Sequence, residues 1–277
     1  MSDTLSNITG TLAGIAKTIL SPQRTRISAH DPAEGDSLII MGNGPSLTQT
    51  IADYGDTLAR IPLMAVNFAA NTPEFQQLKP RYYTLADPHF FLKQTDPNVA
   101  RLISNLNAVS WPIILFVPAS AKKHMTSLNN PKLTIEYFST NGIEGFARFR
   151  RFMYRAGFGM PRPRNVLIPS LMIGIALGFR TIYITGADHG WTKTLSVNER
   201  NEVVSIQPHF YTEDNHEKQR IRTDYLKYPL HQILYSLYVA FKSYFLIEDY
   251  ARCQNTEIFN ATDGSFIDAF RRQSLPR

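Results

Sequence analysis

From residue 37 onward, short apolar runs rich in β-branched and aromatic residues alternate with longer stretches of helical periodicity. The runs at 37–41, 63–67, 82–86, 113–117 and 133–137 predict five strands, and those at 181–185 and 257–260 predict two more. Between them, 48–54, 100–105, 142–156, 169–177 and 229–252 predict helices, the last long and largely apolar. Strands that alternate with helices imply crossover connections. The expected fold is therefore α/β, a Rossmann-like, mostly parallel sheet flanked by helices.

Two regions break this alternation. Residues 190–228 are polar and weakly periodic, far longer than an ordinary connection, and read as a lid-like insertion. Residues 1–20 place Leu5, Ile8, Leu12, Ile15 and Ile19 at spacings of three and four, an N-terminal amphipathic helix that residues 21–36 link to the sheet. Docking of that stripe on the parent domain is the expected use, with self-association or membrane-surface attachment as alternatives. The division is then residues 1–36 for helix and linker, and 37–277 for one nucleotide-binding domain.

Composition narrows the setting. A chain of 277 residues, 43% hydrophobic, can bury a core without a second domain. Its net charge of +6 suits an anionic partner such as a nucleotide, a phosphoglycan or a membrane surface. No nucleic-acid module is visible, so no nucleic acid is expected as a partner. One cysteine, Cys253, excludes an intramolecular disulfide and a multi-cysteine metal site. No apolar run reaches the length of a membrane span and no signal peptide opens the chain. The expected location is cytoplasmic, with the inner face of the membrane as a further expectation.

The chemistry is expected at the strand ends. The first strand runs into Gly42, Asn43, Gly44, Pro45 and Ser46, and a strand, a glycine turn and a helix start in that order suit a ligand phosphate or ribose. The glycines allow close backbone approach, and Ser46 or Thr48 can cap the helix. The turn is neither a Walker sequence nor a full dinucleotide fingerprint. Asn67, Asp87 and Asp188 also fall at or just after strand ends, with Gly186 two residues before Asp188. In a parallel sheet such ends share one edge, so these side chains should meet Asn43 around a single crevice.

Gly42-Asn43-Gly44-Pro45-Ser46-Leu47 resembles the opening motif of the bacterial sialyltransferases of glycosyltransferase family 42. Asn67 is placed like a nucleotide-contacting asparagine of that family, and Asp87-Pro88 like its Asn-Pro pair. Residues 175–179 and 181–188 are similar to its helix and strand leading to Gly-x-Asp, and residues 260–265 to the turn after its last strand. The resemblance extends to the motility-associated glycosyltransferases and pterin diphosphokinase-like proteins. It implies nucleotide binding by Gly42, Asn43, Gly44, Pro45, Ser46, Asn67, Asp87, Gly186 and Asp188. For the sialyltransferases it also implies a cytidine monophosphate-linked sialic or related nonulosonic acid donor, no required metal and a glycan or lipid-linked acceptor. The chain departs from that family at Asp87, a carboxylate in place of an amide, and at Gly190, where the family carries a phosphate-contacting tyrosine. Arg164, Tyr211, Tyr225 or Tyr228 would then supply the phosphate or acceptor contacts.

Transfer to a hydroxyl needs a base unprotonated near neutral pH, a task suited to histidine. His231, at the start of the last long helix and broadly where the family's catalytic histidine lies, and His189, beside Asp188, are the candidates. His209 and His216 fall inside the insertion. The alternative of a magnesium-dependent diphosphokinase would use His189, Asp188 and Asp87 around magnesium or manganese. A third alternative is a non-catalytic nucleotide- or glycan-binding protein. Trp191 and Lys193 are placed to stack on or pair with a sugar, and the basic, aromatic run 146–155 to meet an anionic acceptor or the membrane.

Overall fold

The structure is a computed structural model that describes residues 2–21, 23–31, 35–205, 210 and 227–277. Its strands are β1 (Ser37–Met41), β2 (Leu63–Val66), β3 (Tyr82–Thr84), β4 (Ile113–Pro118), β5 (Leu133–Phe138), β6 (Thr181–Thr185), β7 (Ser196–Val197), β8 (Val203–Val204), β9 (Glu257–Asn260) and β10 (Arg271–Arg272). Eight of them form a wholly parallel sheet in the order β10-β9-β6-β1-β2-β3-β4-β5. The chain enters at the centre, walks outward through β2 to β5, then crosses back to lay β6 against the other side of β1. That reversal makes a topological switch between β1 and β6, where open parallel sheets hold ligands.

Both faces of the sheet are covered, and successive strand residues belong to different cores. Leu38 and Ile40 join one cluster with Ile184, Leu171 and Ile247, while Ile39 and Met41 join another with Leu115 and Leu102. Burial on both faces is why these strands read as continuous apolar runs. The second core is closed by α2 (Ser46–Asp53), α3 (Gly55–Arg60), α4 (Pro73–Leu78), α5 (His89–Leu92) and α6 (Pro97–Asn107). The first is closed by α7 (Ala147–Arg155), α8 (Leu167–Leu177) and α9 (Leu230–Cys253). Helix α8 is apolar almost all round because it is sandwiched between the sheet and α9, and its only exposed residue is Ala176.

The elements differ from the sequence pattern where backbone conformation overrides periodicity. Strand β2 stops at Val66 because Asn67 turns to φ +51° and opens a short 3-10 helix, Asn67–Asn71. The helix expected over 142–156 begins only at Ala147. Gly145 sits at φ +111°, and Ile143 is instead held by its N–H to Met160 O, 2.9 Å. Helices α3, α4 and α5 and strand β10 were too short for a periodicity reading.

The N-terminal helix α1 (Ser2–Leu20) does dock on the domain, but not through its apolar stripe. Its small, polar side makes the contact. A Cβ on Gly10 would come within 2.9 Å of Gly145 N, and one on Gly14 within 2.9 Å of the Phe149 ring. Phe146 N donates to Thr11 Oγ1 at 3.1 Å, and Lys17 Nζ to Gly142 O at 2.9 Å. The linker continues along the domain, where His30 stacks on Phe179 with ring centroids 4.0 Å apart. Of the insertion, residues 190–205 form a 3-10 turn (Gly190–Lys193) and a hairpin of β7 and β8. Phe210 N donates to Asn43 O at 3.0 Å. The remainder of the insertion, with His209, Tyr211, His216 and Tyr225, lies outside the described residues.

Candidate functional site

A crevice of about 660 Å³ opens at the carboxyl ends of the strands, at the β1/β6 switch. Its size suits a nucleotide or nucleotide sugar. Gly42, Asn43, Gly44, Pro45, Asn67, Asp87, Gly186 and Asp188 all line it, so side chains from four separate strand ends meet as the sequence pattern required. Arg164, His189, Trp191 and Lys193 line it as well.

The glycines of the first turn have a role that the sequence did not disclose. Gly42 N donates to Thr185 O at 2.7 Å and Gly44 N to Gly186 O at 2.8 Å, which clamps the turn after β1 to the turn after β6. A Cβ on Gly44 would fall on the Asp188 carboxylate, and one on Gly42 against Gly186 O. Gly186 itself sits at φ +63°, and a Cβ there would run into the Gly42 carbonyl oxygen. The backbone approach that demands glycine is therefore between the two turns.

Ser46 departs from its expected role. Pro45 occupies the position before α2, in helical conformation and with no side-chain cap, and Ser46 is already the first helical residue. Its hydroxyl donates to Asp188 Oδ2 at 2.7 Å and so fixes that carboxylate at the wall. Ser46 itself does not line the crevice, and Thr48 is exposed on α2. Asn43 is buried and donates from Nδ2 to Val66 O at 3.2 Å, which ties the turn to β2. Asp87 accepts from His89 N at 2.8 Å, so its carboxylate opens α5 while the residue lines the crevice. The turn of residues 260–265 stays outside the crevice and braces the Gly186–Asp188 wall. Ala187 N donates to Thr262 Oγ1 at 3.1 Å, and Ser265 Oγ donates to Ala187 O at 2.6 Å.

The two histidines read as bases have different surroundings. His189 is buried at φ +52°, its ring tilted against Trp191 with centroids 4.1 Å apart and its Nε2 at 2.6 Å from the Tyr244 hydroxyl. Burial pushes its imidazole down to about 3, which keeps it neutral at physiological pH and makes it a weak proton acceptor. Tyr244 in turn donates to Asn165 Oδ1 at 3.1 Å. With the tyrosine proton given to Asn165, His189 carries its own proton on Nε2 and presents Nδ1 as an acceptor. His231, by contrast, is exposed in the first turn of α9 and is not one of the lining residues. Tyr228 is likewise exposed and away from the lining.

Asn165 and Tyr244 were not singled out by the sequence. Asn165 Oδ1 also accepts from Leu167 N and Ile168 N, at 3.0 and 3.3 Å, and so caps α8. The signal available was an asparagine just before an apolar helix. Two buried amide atoms of lining residues, Asn67 Oδ1 and Asn165 Nδ2, have no hydrogen-bond partner among the described residues. Buried amide atoms in this condition are costly unless a ligand or water satisfies them. Among the described residues no three His, Cys, Asp or Glu side chains group as a metal site. No described helix is long and apolar enough to cross a membrane.

No family model matches the chain, and no curated protein matches it. Among solved structures it is similar to the MAf glycosyltransferase from Magnetospirillum magneticum AMB-1, at 14% identity and a TM-score of 0.50. The match covers 91% of this chain and 36% of that one, so the chain spans about a third of the length of that protein. What the two share is the fold, and the chain is an α/β, Rossmann-like domain built on a parallel sheet.

Proposed function

We propose that the chain is a glycosyltransferase that binds a nucleotide-activated sugar in the crevice at the β1/β6 switch. One observation carries the reading. Asn43, Asn67, Asp87 and Asp188, from four distant segments, line one crevice together with the cations Arg164 and Lys193. Amide and carboxylate groups recognise a base and ribose, whereas exposed guanidinium and ammonium groups at the same opening attract phosphate. Asn67 Oδ1 and Asn165 Nδ2 offer one acceptor and one donor still to be matched by a ligand.

The likeness of fold to a MAf glycosyltransferase agrees with this class of reaction. The finer donor assignment, a cytidine monophosphate-linked nonulosonic acid, rests on the Gly-Asn-Gly-Pro-Ser turn and the Gly-x-Asp segment. Where the sialyltransferases place a phosphate-contacting tyrosine this chain has Gly190, and Arg164 and Lys193 take over that contact. His189, neutral and locked by Tyr244, accepts a hydrogen bond from a sugar or ribose hydroxyl. His231 is exposed and away from the crevice lining, so it is not assigned the acceptor proton. The acceptor is a glycan or a lipid-linked glycan.

Titration calorimetry with cytidine, uridine and adenosine nucleotides tests the reading. Asn43→Ala is expected to weaken the preferred nucleotide about tenfold, the worth of one neutral hydrogen bond plus the disturbed turn. Arg164→Gln is expected to weaken the nucleotide by a similar factor and leave the nucleoside unaffected, because only the phosphate meets the guanidinium. No binding of any nucleotide would end the proposal. Binding without turnover of a sugar nucleotide would recast the chain as a binding protein.

A further inference from the structure

The N-terminal helix is mounted with its amphipathicity inverted. Leu5, Leu12 and Ile19 are 65%, 62% and 71% exposed, with Ile8 and Ile15 exposed between them. The side turned to the domain holds Gly10, Thr11, Gly14 and Thr18. Glycine contacts bring the two backbones close and leave the whole apolar stripe facing outward.

A stripe of five large aliphatic residues is an unfavourable thing to leave in water, and on a monomer such a patch marks a surface that meets something. The charge around it indicates what. Helix α7 packs its Phe149 on Gly14, and its next exposed face carries Arg148, Phe152 and Arg155 at positions i, i+4 and i+7. Lys17, Arg24 and Arg26 are also exposed. Residues 2–29 and 142–162, which build this face, hold eight Lys and Arg against two Asp and Glu, an excess equal to the +6 of the whole chain. One of those two acids, Glu144, is held by Arg162 at 2.6 Å and Lys242 at 3.4 Å. Arg150 and Arg151 both turn inward to Asp249, which leaves Arg148 and Arg155 as the outward cations of α7.

We propose that this face docks on an anionic lipid surface, with the α1 stripe lying in the headgroup boundary and the surrounding cations on the lipid phosphates. An aliphatic stripe flanked by arginine and an exposed phenylalanine matches the two requirements of interfacial binding, apolar burial and attraction to negative lipid. A second copy of the chain fits poorly, because it would press two strongly cationic faces together. The arrangement is independent of what the crevice binds.

Cosedimentation of the full chain with vesicles tests the proposal, using phosphatidylcholine alone and phosphatidylcholine mixed with phosphatidylglycerol. Binding is expected to the mixed vesicles, weakening as salt is raised. Leu12→Gln/Ile15→Gln/Ile19→Gln should fall to background with its circular dichroism unchanged, since the stripe makes no core contact. Arg148→Gln/Arg155→Gln should bind about tenfold more weakly, and Leu12→Trp should shift its emission to the blue only with anionic vesicles. The proposal is overturned if the parent chain stays in the supernatant with both vesicle types, or if the triple variant binds as well as the parent. It is equally overturned if sedimentation velocity shows a dimer that the triple variant dissolves.

Discussion

Gly186→Ala is expected to lower the free energy of unfolding by about 3 kcal/mol or more, and to abolish nucleotide binding with it. Two costs combine. Alanine at φ +63° is strained by about 1–2 kcal/mol even in open space, and here its methyl would also collide with the Gly42 carbonyl. Relief requires the two clamped turns to part, which breaks the bonds from Gly42 N to Thr185 O and from Gly44 N to Gly186 O. Gly264 provides the control, because it has nearly the same φ, +65°, and nothing lies within 4 Å of the place its methyl would take. Gly264→Ala should therefore show the conformational cost alone. Urea unfolding of both variants gives the difference, and equal losses would show that the interlocked turns contribute nothing.

A second large effect concerns acid. His189 remains neutral in the fold down to about 3, whereas in the unfolded chain it protonates near the ordinary histidine value of 6.5. Between those limits the unfolded state binds a proton that the folded state refuses, so stability must fall as pH falls. The slope approaches about 1.4 kcal/mol per pH unit below about 6.5, or roughly 2 kcal/mol between pH 7 and pH 5. Chemical denaturation at the two pH values should show that loss in the parent chain and a smaller one, by about that amount, in His189→Gln. In NMR spectra the His189 ring should stay unprotonated across the interval. A titration midpoint near 6.5 in the folded protein would refute both expectations.

How far the sequence disclosed the site depends on which kind of element carries each residue. Asn43, Asn67, Asp87 and Asp188 were legible because each ends an apolar run, and parallel strands deliver their carboxyl ends to one edge. Tyr244 was not, since it sits in the middle of a long apolar helix and is fully buried, where an aromatic residue reads as core. Only the packing of α9 over the sheet carries its hydroxyl to His189. Asn165 was hidden differently, as a helix-start residue whose second contact comes from a tyrosine 79 positions later. The stripe on α1 was legible as a stripe, but which side of the helix would face the domain depended on glycine contacts with Gly145 and Phe149.

The path of the chain through the sheet divides the crevice between two stretches of sequence. Its outbound arm, from β1 to β5, supplies Asn67 and Asp87, and its returning arm supplies Arg164, Asp188 and His189. The β1 turn bonds to both, through Gly42 N to Thr185 O and Asn43 Nδ2 to Val66 O. A substitution in one arm can thus reshape one wall of the crevice while the opposite wall keeps its shape. A change at the glycine clasp, where the two arms are bonded, would disturb both walls at once.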